Sequence, residues 1–422
     1  MRVLVVGGGG REHAIGWALG HSSRVNELLS LPGNPGLATL GPRVAGVSPT
    51  DVGAVAAVAR VHAVDLVVVG PEAPLAAGLV DALDHLGIPA FGPTRAAARL
   101  EASKSFAKDV MARAGVPTPG AWVFDQRAAA EAHIGAHPGP YVVKADGLAA
   151  GKGVLVTHQR EAALGWVARC FDGGFGEAGA TVLIEEYLAG PELSVFAVSD
   201  GQSAVTLEPA RDYKRLADGD SGPNTGGMGS YSPVELPVGL VAGVGDEVIT
   251  PVIRQMASDG TPYRGFIYAG LVLTETGPQV IEFNARLGDP ETQVVLPRLE
   301  TDLVDVIEDA LAGRPPTMRW SDRAALNVVL AAEGYPESPR GGDRISGLDA
   351  AHDEVLVFHA GTAFDDQGRT VTAGGRVLSI VGMGDTLAGA RDRAYRAAEG
   401  IRFPGRRFRR DIGIDAVDGS NV

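Results

Sequence analysis

The run Val3-Leu4-Val5-Val6 is apolar on both sides of a would-be strand and ends in four glycines, after which residues 11–19 repeat apolar positions at helical spacing. A second apolar strand, 64–69, runs into Gly70-Pro71-Glu72-Ala73-Pro74. A helix over 75–86 follows, and a short strand over 88–91 precedes Gly92-Pro93-Thr94. Unbroken apolar strands alternating with helices predict a parallel sheet covered on both faces.

The pattern changes near residue 101. A helix over 103–114 stops at Gly115 and gives way to Val116-Pro117-Thr118-Pro119-Gly120, a hinge by composition. Beyond it the periodicity predicts strands at 141–144, 154–157 and 181–185, with a helix over 160–171. From about 191 the strands read as longer and more amphipathic, and 268–275 and 279–284 form a hairpin through Thr276-Gly277-Pro278. A last unit carries strands at 327–331, 354–359 and 376–381 and a helix over 386–399. The expected architecture is α/β and α+β multidomain: a parallel α/β domain over 1–101, a central unit over 102–325 with a mobile lid at about 120–190, and a small α/β domain over 326–422. The arginine cluster between Arg402 and Arg410 reads as a solvated face.

A net charge of −14 argues against nucleic acid or an acidic membrane as the main partner. The single cysteine, Cys170, excludes a disulfide within one chain, reads as a small buried hydrophobe and suits a reducing cytoplasm. Met1 leads almost directly into the first strand, leaving no room for a cleavable leader, and no apolar stretch approaches the roughly 18 residues of a membrane span.

Lysine is rare. There are five, against 32 arginines, and all lie between Lys104 and Lys214. A chain that writes positive charge as arginine keeps lysine where a compact ammonium must meet a single phosphate oxygen. Lys104, Lys144, Lys152 and Lys214 sit in Gly- or Asp-containing segments, while Lys108, one helical turn beyond Lys104, reads as a surface residue.

The motifs then divide the chemistry. Gly7-Gly8-Gly9-Gly10-Arg11-Glu12-His13 joins a strand to a helix and presents N–H groups to an anion, but its spacing does not match the dinucleotide fingerprint. No acidic residue follows near position 32, which weakens a nicotinamide dehydrogenase. Arg11 favours a phosphorylated substrate. Lys144-Ala145-Asp146-Gly147-Leu148-Ala149-Ala150-Gly151-Lys152-Gly153 places two lysines about a glycine-bearing loop between strands, able to close over ATP phosphates. The end of the strand at Ile184-Glu185-Glu186-Tyr187-Leu188 offers backbone donor and acceptor groups to an adenine edge, with Glu192 for ribose hydroxyls. Alternation puts Glu282 and Asn284 on one face, with Ile281 and Phe283 toward the core, and these oxygens suit a hard divalent cation. Arg286, Asp289 and Glu291 follow at a turn. The segments Arg211-Asp212-Tyr213-Lys214-Arg215 and 222–229 hold too few apolar residues to pack a core.

In order and spacing, these segments resemble the ATP-grasp superfamily, and within it the phosphoribosylamine–glycine ligase family. The resemblance rests on Gly9-Gly10-Arg11-Glu12-His13, Gly70-Pro71-Glu72, the Lys144 loop, 222–229, 282–291 and Gly374-Gly375-Arg376, and runs from Met1 to Gly413. It implies an ATP-grasp fold and ATP-dependent ligation of glycine to 5-phosphoribosylamine through a glycyl phosphate. By resemblance, Lys104, Lys144, Gly151 and Lys152 meet ATP phosphates, and Glu185, Glu186, Leu188 and Glu192 line the adenosine pocket. Glu282 and Asn284 would hold Mg²⁺ or Mn²⁺. Gly10, Arg11, Glu12, Gly375 and Arg376 would hold the ribose phosphate, and Asp212, Lys214, Arg286 and Asp289 would serve as catalytic residues about glycine and its acyl phosphate. The implied partners are small molecules (ATP, glycine and 5-phosphoribosylamine), with no nucleic acid or membrane, in a cytoplasmic monomer or weak dimer. Three positions depart from the family pattern: Gly8 stands where a polar residue is expected, Tyr213 where histidine is common and Leu287 where phenylalanine is common. The competing readings are another ATP-grasp ligase or carboxylase of the purine pathway, and a non-catalytic nucleotide-binding protein.

Overall fold

A computed structural model describes residues 1–149, 152–348 and 354–417, so Gly151 lies outside the described residues. The amino-terminal sheet is parallel, with order β2-β1-β3-β4 and strands β1 (Arg2–Gly7), β2 (Glu27–Pro32), β3 (Leu66–Val69) and β4 (Ala90–Phe91). Its two faces feed different cores. Val3 and Val5 pack with Ile15 and Leu19, while Leu4 and Val6 pack with Val55 and Leu79. The expected helix over 75–86 is two helices, Glu72–Ala77 and Leu79–His85, broken at Gly78, whose φ of 91° lies in the left-handed region. Chain order reverses between β1 and β3, and the loops after these two strands open a crevice at their carboxyl ends.

Four antiparallel strands follow in the order β5-β8-β6-β7: β5 (Ala121–Phe124), β6 (Tyr141–Ala145), β7 (Val154–Thr157) and β8 (Val182–Glu185). The helices Arg127–Ala136 and Arg160–Arg169 cover them, and Cys170 is buried in that core with its thiol pushed up to about 11 by burial.

The central sheet, order β10-β9-β15-β16, is built from β9 (Glu192–Asp200), β10 (Ala204–Thr206), β15 (Arg264–Thr274) and β16 (Gly277–Asn284). Its long strands are not amphipathic as expected. Val195, Ala197, Ile267 and Ala269 pack with Val110 and Val252 on one face, and Phe196, Val198, Phe266 and Tyr268 pack with Leu303 and Val306 on the other. Helices on both sides dry both faces, so both are apolar.

The fourth sheet, order β11-β14-β17-β21-β18, draws strands from two distant parts of the chain. β11 (Arg211–Asp212) and β14 (Gly229–Ser232) join β17 (Ala324–Ala331), β18 (Val355–His359) and β21 (Arg376–Gly384). The expectation that the charged and glycine-rich segments pack no core is therefore corrected: Tyr213 in the first and Met228 in the second are buried. Two hairpins complete the strands, β12 (Arg215–Ala217) with β13 (Ser221–Asn224), and β19 (Thr362–Phe364) with β20 (Thr370–Thr372). The arginine cluster also departs from expectation at Arg409. Its side chain is 2 % exposed, pairs with Asp411 at 2.7 Å and Asp220 at 3.2 Å, and stacks over the Tyr213 ring. Among the described residues no helix is long and apolar enough to cross a membrane.

Candidate active site

The crevice after β1 and β3 is organised around Glu12. Its carboxylate accepts from Gly9 N at 2.7 Å and pairs with Arg11 Nε at 2.6 Å. A Cβ at Gly7 or Gly70 would come within 2.4 or 2.3 Å of that side chain, so both glycines are needed for the glutamate to lie between the two strand ends. Arg11 is buried; Nη1 donates to Leu287 O at 3.1 Å, and its backbone N donates to Asp289 Oδ2 at 3.3 Å. Two N–H groups of the expected anion loop are thus taken by the protein's own carboxylates. At Gly8 a Cβ would meet Gly33 O at 2.8 Å, which accounts for glycine where the family pattern expects a polar side chain.

Asp289 joins this crevice to the carboxy-terminal sheet. Its Oδ1 lies 3.2 Å from Arg376 Nη1 and accepts from Gln293 Nε2 at 3.0 Å. Gly375 is required by packing, because a Cβ there would enter the Tyr335 ring at 2.2 Å, and Gly226 N donates to Tyr335 Oη at 2.9 Å. Arg286 extends the network toward the central sheet, with Nε 3.3 Å from Glu72, and Nη2 2.8 Å from Glu101 and 3.2 Å from Asn284 Oδ1.

Glu282 and Asn284 stand together on β16, with Asn284 Nδ2 donating to Glu282 Oε1 at 3.4 Å. Strict alternation fails beside them. Gly270 pairs with Glu282 and Leu271 with Val280, which leaves Ile281 as the extra residue of a β-bulge. Val280 and Phe283 face the core, and Ile281 does not; its carbonyl accepts from Lys144 Nζ at 2.9 Å. Burial works against ionisation of Glu282, but Lys214, Lys144 and Lys104 outweigh it and hold its carboxyl below the usual range. An ionised carboxylate beside an amide suits a divalent cation that keeps water and phosphate oxygens as its other ligands, provided the amide turns its oxygen toward Glu282. Among the described residues no group of three or more His, Cys, Asp or Glu side chains could hold a metal by itself.

The lysines do not all point into one space. Lys104 Nζ donates to the carbonyls of Asp146 (3.3 Å) and Gly147 (3.2 Å), in the loop after β6. Lys144 pairs at 2.8 Å with Glu185, which is buried behind it. Lys108 is not a surface residue: its ammonium lies 3.5 Å from the other Glu185 oxygen and donates to Thr118 Oγ1 and Pro119 O, because the hinge segment folds across it. Glu186 is turned toward the hinge, accepting from Gly120 N at 3.0 Å. A cavity of about 1050 Å³ is lined in part by Lys152, Leu188, Glu192, Asp212 and Lys214, with Lys214 Nζ 2.8 Å from Glu192. Glu291, buried nearby, is raised to about 8 by burial and by Asp212.

The expected residues thus form separate groups: Gly10, Arg11, Glu12, Asp289, Gly375 and Arg376 at the crevice, Glu282, Asn284 and Arg286 on and after β16, Lys152 and Lys214 with Asp212 and Glu192 along the cavity, and Lys104 and Lys144 on the loop after β6 and on Glu185. Glu101, Gln293 and Lys108 join these groups through Arg286, Asp289 and Glu185, although no motif marks them. Nothing local marks Glu101, whose partners Arg286 and Ala285 N are remote in sequence.

Family models of phosphoribosylglycinamide synthetase match in sequence order: the N domain over 1–101, the ATP-grasp (A) domain over 102–292 and the C domain over 325–415. A phosphoribosylamine–glycine ligase of Streptomyces coelicolor is 50% identical over 425 residues, 99% of this chain and 100% of its own. One from Caulobacter vibrioides is 48% identical over 424 residues, 99% of each chain. The crystal structure of phosphoribosylamine–glycine ligase from Thermotoga maritima superposes with a TM-score of 0.86 at 37% identity, covering 98% of this chain and 100% of that one. The biotin carboxylase domain of the Hydrogenobacter thermophilus 2-oxoglutarate carboxylase has a TM-score of 0.75 at 17% identity, over 96% and 91% of the two chains, and shares the fold alone.

Proposed function

The chain belongs to the phosphoribosylglycinamide synthetase family, and from that premise we propose that it ligates glycine to 5-phosphoribosylamine with conversion of ATP to ADP and phosphate, in purine biosynthesis in the cytoplasm. The observation that carries this reading is the position of Asp289. It contacts Arg11 of the amino-terminal crevice and Arg376 of the carboxy-terminal sheet, and it follows the strand bearing Glu282 by a few residues. A phosphorylated amine held by the first two elements would lie beside a centre able to activate a carboxylate.

In this reading the glycine carboxylate oxygen attacks the γ-phosphorus of ATP, ADP leaves, and a glycyl phosphate results. The amine of phosphoribosylamine then forms the C–N bond, phosphate departs from the acyl carbon, and the amine loses a proton. Such transfer is mostly positioning and charge neutralisation. Lys104, Lys144 and Lys152 would neutralise the phosphates, and Leu188 and Glu192 would border the nucleoside. Lys214 and Arg286 would flank the acyl phosphate, and Asp212 would pair with the glycine ammonium. Arg376 would face the ribose phosphate, with Arg11, Glu12 and Asp289 keeping it in place. Glu282 and Asn284 would hold Mg²⁺ or Mn²⁺, which would supply neutralisation of phosphate charge.

The test mixes protein, ATP, Mg²⁺ and glycine with freshly generated phosphoribosylamine and follows ADP. Release must require both substrates. ADP formation indifferent to either one would sink the ligase assignment.

A further inference from the structure

Glu185 ends β8 with its side chain 2 % exposed and a lysine facing each carboxylate oxygen, Lys144 at 2.8 Å and Lys108 at 3.5 Å. The two cations come from different parts of the fold. Lys144 lies on β6 in the lid sheet, and Lys108 on the helix Lys104–Ala114 that packs against the central sheet. Lys108 is held by the segment through which the chain enters the lid, donating to Thr118 Oγ1 and Pro119 O at 2.8 Å each. That segment is anchored in turn. Thr118 Oγ1 donates to Val280 O at 2.7 Å, Val280 N to Pro117 O at 2.9 Å and Glu186 N to Gly120 O at 2.9 Å. The Lys108 ammonium is therefore kept beside Glu185 whatever Lys144 does.

Lys144 Nζ already meets Glu185 at 2.8 Å and the Ile281 carbonyl at 2.9 Å, so a nucleotide phosphate that drew the ammonium forward would draw it away from Glu185. If Lys144 turned to phosphate with nothing in its stead, a buried carboxylate would lose its close partner, which is strongly unfavourable. We infer that Lys108 is the standby counter-ion of Glu185: it closes the 3.5 Å gap when Lys144 engages a nucleotide phosphate, and so permits that engagement. Lys108 is a positioning residue in this scheme, acting through Glu185 and Lys144. Its ammonium is depressed to about 8, by burial first, with Glu185 opposing and Lys144 adding to the depression. Departure of Lys144 would strengthen the Lys108–Glu185 pair. The inference rests on the proposal that Lys144 binds ATP phosphate.

Calorimetric titration of the full chain with Mg·ATP tests it on wild type, Lys108→Met, Glu185→Gln and the double variant. Lys108→Met is expected to weaken ATP binding roughly tenfold or more, and by no more than about twofold when Glu185 is already glutamine, because a neutral amide needs no counter-ion. An equal loss in both backgrounds, or no loss in the first, overturns the inference. Lys108→Gln, which keeps a donor for Thr118 and Pro119, separates charge from hinge packing and must show the same dependence on Glu185. A glutamine variant that binds ATP like wild type also overturns it, and this variant carries the test if the methionine variant does not fold. Failure of the wild type to bind ATP, or of Lys144→Met to weaken it, would instead remove the functional reading beneath.

Discussion

Asp146 is bound to Ser103, the N-cap of the helix that carries Lys104: the Ser103 hydroxyl donates to Asp146 Oδ2 at 3.0 Å, while Ser105 N donates to Oδ1 at 2.7 Å. Lys104 N adds a bond to the Asp146 carbonyl at 3.1 Å. The loop after β6 is thereby seated on the amino end of a helix from outside the lid. A carboxylate at that end satisfies N–H groups that have no partner within the helix and complements its dipole.

Asp146→Ala should lower stability by about 1–2 kcal/mol, the usual scale for loss of a helix cap, and raise the KM for ATP more than that for glycine. Thermal melts and steady-state kinetics measure both. An unchanged KM for ATP would separate the cap from nucleotide binding.

Glu282→Ala should reduce kcat by about a hundredfold or more, the scale for losing electrostatic stabilisation of a transition state, while the circular dichroism spectrum stays native. Near-normal turnover would remove Glu282 from the metal site. Lys144→Arg should also lose most activity despite its retained charge, since a planar fork cannot replace the ammonium between Glu185 Oε2 and the Ile281 carbonyl.

Glu291→Gln should flatten the pH dependence of stability. Burial and Asp212 raise the Glu291 carboxyl from 4.5 to about 8, so the folded state binds a proton that the unfolded state has lost across that window. The protonated folded form is fully favoured below about 4.5, and its advantage falls away as pH rises toward about 8. Melting temperature against pH should therefore decline less steeply in the variant over that range; an identical slope would show that Glu291 does not carry the proton.

Arg409→Met should destabilise the fold by about 1–3 kcal/mol, because Asp411 loses its bidentate partner while Asp220, 72 % exposed, is left in water. Asp411 also accepts from Gly219 N at 2.9 Å, in the turn between β12 and β13. That hairpin follows Lys214 directly, so the same variant should raise the KM for glycine. Denaturant melts and glycine titrations read the two effects separately.

Legibility differed from residue to residue. Lys144 and Lys152 were marked by the glycine loop between them, and Glu282 by its place at a strand end. Lys108 was hidden because helical periodicity gives only its spacing from Lys104, whereas its burial comes from the hinge folding over it. Alternation places Ile281 toward the core because it assumes unbroken pairing, and the register shift on β16 turns it away. A glycine in the partner strand, Gly270, sits opposite Glu282 where the register shifts, and an interior strand glycine is a recognised sign of such a bulge. The short apolar stretch Leu28-Leu29-Ser30-Leu31 forms most of β2 and has no place among the expected strands.

By itself the sequence determined which stretches become buried strands, where glycine ends a helix, and which charged side chains stand in each loop. These depend on neighbours a few residues away, through backbone sterics and the periodicity of apolar positions. Only the tertiary structure decided how the charges combine. Arg11 N and Asp289 are 278 residues apart in sequence, and Arg286 and Glu72 are 214 apart. Such pairs form when separate sheets pack and exclude water, so the partner of a buried charge follows from the packing and not from its flanking residues.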